Sequence, residues 1–375
     1  MSLHKNFCRS IFKIFLPVVL LSLCIISCDK TGSFISFSAT GAPGEVLMVM
    51  PDDWINEEPA VATESLLRSE VPALPQVEPW MRVMKVKQKD FNSTLRNTRN
   101  ILFIDFRSDI YSHTSVKYSF DPYATGQIFV KIQTPSRESL QEYYKDHGRD
   151  ICDLFLRNEL FRMAKELSKD HSQEAQQLMK KALQHYIDVP IDVTSSKLRD
   201  NFIWLSNNAM RKRYDFAAFR LPLSKVGTIT ATRIIALRDS VLGSQIEGSE
   251  PGSKICTSTF GAEFRSAKLP NNATPFYELR GLWETTGTSM MAGPFVAHIY
   301  PDQKNNILYY VEGFVYHPNE KKRNIIRNLQ AALFSFRPDS IDEYEPEEIK
   351  KVQWGKIEKI NNEVTSHTVT DNTDL

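Results

Sequence analysis

The chain has 375 residues, 24% of them charged, with 46 Lys and Arg against 45 Asp and Glu and a formal net charge of +1. That balance excludes the basic excess of a nucleic-acid-binding protein and the acidic excess of a disordered one. A hydrophobic content of 42% with only five cysteines points to ordinary globular cores, not to a disulfide scaffold.

The first 27 residues have the parts of a secretion signal. Lys5, Arg9 and Lys13 give a positive start, and Ile14–Ile26 is apolar, interrupted by Pro17 and Ser22. The run is shorter than the ~20 residues that a spanning helix needs. It closes on Ile25-Ile26-Ser27-Cys28, which has the form of a bacterial lipobox, so Cys28 is the expected lipidation site and first mature residue. Several acyl chains on one cysteine, each gaining about 0.8 kcal/mol per buried methylene, give durable anchoring. Cys8 and Cys24 leave with the leader; Cys152 and Cys256 remain and could pair in an oxidising compartment.

Thr31–Thr40 reads as part of a Ser/Thr-rich tether over 28–40. The first half, 41–190, opens at the turn Gly41-Ala42-Pro43-Gly44 and a strand over Glu45–Met50. A helix is predicted from Pro59 to Val71, then strands over Met81–Val86, Ile101–Phe106, Val116–Phe120 and Gln127–Gln133. Three- and four-residue spacing from Leu140 to Leu167 predicts a long helix, broken at Ser168–Ser172 and resumed at Leu178–Tyr186, with Pro190 ending it.

The second half, 191–337, is predicted to hold strands near Phe202–Leu205 and Asp215–Leu221. A helix follows over Thr230–Leu242, stopped by Gly243 or Gly248. Five strands come next: Lys254–Thr259, Glu263–Ala267, Tyr277–Thr285, Pro294–Tyr300 and Ile307–Tyr316. A last helix spans Asn319–Phe336, and a polar tail covers 338–375. Ile128, Val130 and Ile132 before Pro135-Ser136 echo Val311, Gly313 and Val315 before Pro318-Asn319, the pattern of an internal duplication. The expected class is α+β, two related halves each with a mainly antiparallel sheet packed against amphipathic helices.

Several stretches resemble a family of Bacteroidota envelope lipoproteins known only as a domain of unknown function. They are Gly41-Ala-Pro-Gly-Glu45, Leu74-Pro-Gln-Val-Glu-Pro79, Arg238-Asp-Ser240, Arg280-Gly-Leu-Trp-Glu284, Ala292-Gly-Pro-Phe295 and Glu312-Gly-Phe-Val-Tyr-His-Pro318. The resemblance implies an envelope address and no activity. With one acid after Cys28, it favours the periplasmic face of the outer membrane; the group's O-glycan motif fits Asp339-Ser340-Ile341, making Ser340 the acceptor.

Signals for chemistry are sparse. No His-Glu-x-x-His, Cys-x-x-Cys or acidic calcium loop occurs, so neither metal nor cofactor is expected. Gly287–Gly293 lacks the spacing of a nucleophile elbow, and Gly248–Lys254 runs in the wrong order for a phosphate loop. Glu278, Arg280 and Glu284 share parity on one predicted strand, with Trp283 beside them and His298 on the next. These five form the expected binding surface, facing an envelope protein or glycan, with no nucleic-acid partner. The expected function is non-catalytic binding or scaffolding at a membrane. The alternatives are an envelope glycan or peptide hydrolase using Glu278, Glu284 or His298, and a periplasmic small-ligand carrier with a cleft between the halves.

Overall fold

The computed structural model describes residues 37–360 apart from 249, 259, 271–274, 289 and 290. The leader, Cys28, most of the tether and residues 361–375 lie outside the described residues. Residues from Ser38 onward make one compact unit.

The first half is built on β1 (Glu45–Met50), α1 (Glu58–Leu67), β2 (Arg82–Lys87), β3 (Asn100–Phe106), β4 (Ser115–Phe120), β5 (Ile128–Thr134) and α2 (Arg137–Lys169). Its strand order is β2-β1-β3-β5-β4. The antiparallel expectation is corrected here: β1 runs parallel to β2 and β3, and β3 parallel to β5, leaving only β4–β5 antiparallel. For β1 and β2 the cause is α1, since a helical crossover returns the chain to the next strand in the same direction. Alternation in β5 sends Ile128, Val130 and Ile132 inward under α2, fully buried. The Ser136 hydroxyl opens α2 by accepting from the Ser139 amide at 3.1 Å.

A short break separates α2 from α3 (Gln173–Leu183), whose cap is Ser172. The next elements are β6 (His185–Tyr186), β7 (Ser195–Arg199), β8 (Phe202–Ser206), β9 (Arg213–Pro222), the single turn α4 (Leu223–Val226) and α5 (Ala231–Gln245). Then come β10 (Ile255–Thr257), β11 (Ala262–Lys268), β12 (Phe276–Thr285), β13 (Ala292–Asp302), β14 (Ile307–Tyr316), α6 (Arg323–Leu333), β15 (Arg337–Pro338), β16 (Gln353–Trp354) and β17 (Glu358–Ile360). The large sheet runs β16-β11-β12-β13-β14-β9-β8-β7, with β10 on β12 and β17 on β11, and every pairing in it is antiparallel. The α+β class holds, and the expected antiparallel sheet belongs to the second half.

Strand alternation divides the side chains of this sheet between two cores. Val296, Val311 and Val315 join α2, α3 and α6 in a core that also contains Val46, Leu102 and Ile132 of the first half. Leu279, Ala297 and Tyr310 face the other way, toward Ile234 and Leu242 of α5. Gly313 allows α6 to lie close on the sheet, because a Cβ there would sit 2.7 Å from that of Leu329.

The structure differs from the sequence reading in four further places. The helix α3 packs on β7 and β8, so the halves divide near residue 170 and not at 190. Gly243 lies inside α5, which runs on to Gln245. The last helix starts at Arg323 because Asn319 takes a left-handed turn (φ 61°). Its cap is Glu78, whose carboxylate accepts from the Lys322 and Arg323 amides at 2.6 and 3.1 Å. Finally, the segment expected as a tail is folded as far as Ile360. A 3-10 turn over Pro346–Lys351 covers α2 with Ile349 buried, and β16 and β17 finish the edge at β11.

Candidate functional site

Two places gather polar chemistry: a sealed ionic cluster between the sheet and α6, and an open groove between the halves.

The cluster follows from strand parity. On β12, Glu278 and Arg280 point toward α6, and His298 of β13 points the same way. Glu278 accepts from Arg265 at 3.0 and 3.1 Å, from Arg280 at 3.0 Å and from Gln330 of α6 at 2.5 Å. Arg280 donates in turn to Gln330. Arg265 reaches Asp153 of α2 at 3.4 Å and stacks 3.7 Å over the Trp354 ring. His298 Nε2 stands 3.5 Å from Glu278, and its Nδ1 is 3.1 Å from the Tyr300 hydroxyl.

Burial alone would raise the Glu278 carboxyl. The Arg280 and Arg265 guanidiniums outweigh it and hold that carboxyl well below the usual range. Burial pushes the His298 imidazole down, toward its neutral form. No side chain of the cluster core is more than 5% exposed. This is a charge-compensated structural knot joining α2, the sheet and α6.

On the opposite face of the sheet, Arg238 of α5 grips Glu312 with two bonds of 2.7 Å, both side chains fully buried. Tyr310 donates to the same carboxylate at 2.5 Å.

The expected binding surface is therefore corrected. Glu278, Arg280 and His298 do meet, but inside the protein. Trp283 is 3% exposed, faces the α5 core and donates its indole N–H to the Val315 carbonyl at 3.2 Å. Glu284 is half-buried at the far end of β12, opposite Ala292, and takes no part in the cluster. The surface reading failed because β12, taken for a strand with one solvated charged face, is central and covered on both sides. Of the two states open to them, Cys152 and Cys256 are free thiols and form no disulfide. Cys152, on α2, faces the Leu66 carbonyl at 3.6 Å, and burial raises its thiol to about 12; Cys256, on β10, faces that of Glu284 at 3.5 Å. Ser340 lies exposed in a turn after β15. Among the described residues no group of three or more His, Cys, Asp or Glu could hold a metal, and no helix is long and apolar enough to cross a membrane.

Sequence reasoning missed the cluster partners Asp153, Arg265 and Gln330. Arg265 shares strand parity with the buried Ala267, whereas Asp153 and Gln330 lie on buried faces of α2 and α6.

It also missed the residues of the groove. This is about 1010 Å³ in volume and runs between the first half, the C-terminal part of α2 and α6. Phe161, Met163, Leu167, Ile325 and Leu329 make an apolar floor. Arg162, Lys165 and Lys169 of α2, Lys212 and Lys350 bring positive charge to its walls; Asp121, Glu166, Asp170, Asp192 and Glu347 bring negative charge. Asn324 and Asn328, one turn apart on α6, add amide donors and acceptors, and Ser38 and Pro43 stand at one end.

No curated protein matches the chain. Residues 39–168 match a family model described as a domain of unknown function (DUF8532). Residues 172–335 match a second, also described as a domain of unknown function (DUF4837), so two family boundaries flank the break between α2 and α3.

Proposed function

We propose that the protein is a non-catalytic, lipid-anchored component of the bacterial cell envelope that holds a polypeptide partner in the groove between its halves. The observation that carries this reading is the groove itself. An apolar floor within a charged rim has the anatomy of a protein–protein interface. Paired amides on α6 suit the backbone of an extended chain. A glycan reading would want more aromatic surface than Phe161 and Tyr214 provide, and so would a small-ligand carrier. The hydrolase alternative drew on Glu278, Glu284 or His298, of which Glu278 and His298 are sealed beneath α6 and Glu284 is half-buried apart from both.

The address rests on the leader and Cys28, with the resemblance to Bacteroidota lipoproteins favouring the outer membrane and its periplasmic face, and Ser340 as O-glycan acceptor. Ser38 both lines the groove and pairs with Thr125, ten residues after Cys28. At about 3.5 Å per residue, the tether then keeps that end of the groove within ~35 Å of the bilayer.

Two measurements test the reading. Intact mass of the purified native protein is expected to show a diacylglyceryl-modified, N-acylated Cys28 with residues 1–27 removed; a retained leader or a bare thiol would remove the envelope assignment. A photo-crosslinking residue at Ile325, in the groove, is expected to give one discrete protein adduct in intact cells. The same residue at Ile110, 60% exposed and outside the groove, should give none. Equal labelling from both positions rejects the groove as the docking site.

A further inference from the structure

The groove walls carry charges of both signs, but the two signs are not equally engaged. Asp121 accepts from the Gly126 and Gln127 amides at 2.5 and 2.9 Å. Glu166 pairs with Lys169 at 3.2 Å, and Asp192 accepts from the Tyr214 hydroxyl. Of these wall acids only Glu166 is ion-paired among the described residues, and Asp170 and Glu347 have no hydrogen bond to their carboxylates either.

Lys165 and Lys350 differ. Among the described residues neither has a carboxylate within ion-pairing distance, and both hold their ammonium groups over one ring. Lys350 Nζ is 3.8 Å from the centroid of Phe161, and Lys165 Nζ is 5.6 Å from it. Burial pushes the Lys350 ammonium below its ordinary value. Asp121 and Glu347 pull it back up, and Lys165 and Lys351 add to the lowering. Two half-buried cations over a ring, with Asp121 held by backbone amides and Glu347 outside ion-pairing distance, leave a focus of positive potential beside an apolar floor.

We propose that the segment held in the groove is acidic, and that one of its carboxylates bridges Lys165 and Lys350 above Phe161. The inference rests on the groove being a polypeptide site and adds the chemistry of its occupant. Phe161 supplies a desolvated wall, so the bridging carboxylate is worth more there than on an open surface.

The test uses a twelve-residue fluorescent peptide of Ser, Leu and Glu, and its counterpart with Gln at every Glu, titrated against the mature protein. The Glu peptide is expected to bind at least tenfold more tightly at low salt, the worth of one charge-assisted hydrogen bond. That preference should fall as salt rises. It should vanish in the Lys165→Gln, Lys350→Gln double variant and return with arginine at both positions. If the double variant unfolds, Lys165→Gln alone is read, with half or more of the preference lost. Inorganic phosphate at 10 mM is an added arm. Release of the Glu peptide by phosphate, with no Glu-over-Gln preference at matched ionic strength, assigns the site to phosphate groups and overturns the carboxylate. Equal binding of the two peptides, or a preference that survives the double variant, overturns the acidic occupant while the groove stands. Binding unchanged by Asn328→Trp, which fills the groove, or no binding of either peptide, overturns the polypeptide reading beneath it.

Discussion

At the scale of single residues, Glu278 decides most. It is the one carboxylate held at once by Arg265, Arg280 and Gln330, with His298 beside it. Removing its charge leaves Arg280 buried without a carboxylate partner and Arg265 with only its 3.4 Å contact to Asp153, so Glu278→Gln is expected to cost about 3–5 kcal/mol in urea denaturation. The pH dependence has a defined sign. The folded carboxyl is depressed, so its contribution is complete above about pH 4.5, the unfolded value, and drains away as pH falls toward the folded value. Glu278→Gln should therefore lose less stability than the native protein on acidification below pH 4.5; parallel losses would show that the carboxylate is not the acid-sensitive group. Residue types were legible in the sequence, but their surroundings were not. The spacing of Glu278, Arg280 and Glu284 gave a shared face correctly, while only the neighbours β11 and β13 and the overlying α6 decide that this face is buried.

Among the elements, strands were the most legible. Apolar runs placed β1 and β14, and alternation placed β5, to within a residue of their observed limits, because strand patterning is a local property of the chain. Helix ends were less so, for a reason visible in α6. Its N-terminus is fixed by Glu78, 244 residues upstream, which no local pattern can announce. Glu78→Ala is expected to destabilise the protein by about 1–2 kcal/mol, the usual cost of a lost cap. Hydrogen exchange should show faster amide exchange at Lys322 and Arg323 while α2 stays protected. Unchanged exchange at those two amides would mean that water replaces the carboxylate at no cost. Sheet direction was also hidden, since β1 and β2 look alike whichever way they run until α1 is counted as a crossover.

For the whole molecule, the two halves share a core. Val46, Leu102 and Ile132 from one side and Val296, Val311 and Leu329 from the other belong to a single buried cluster. A fragment of residues 172–360 should thus expose that apolar face and fail to melt cooperatively by circular dichroism, although a family model spans most of it. A sharp transition in the isolated fragment would make the halves independent domains. The groove was illegible for the same reason, since its walls come from stretches as distant as Ser38 and Lys350 and exist only after the halves close. The placement of β16 and β17 has one more consequence. These two short strands finish the margin at β11. A variant cut before Gln353 would therefore present a bare strand ready to recruit a neighbour.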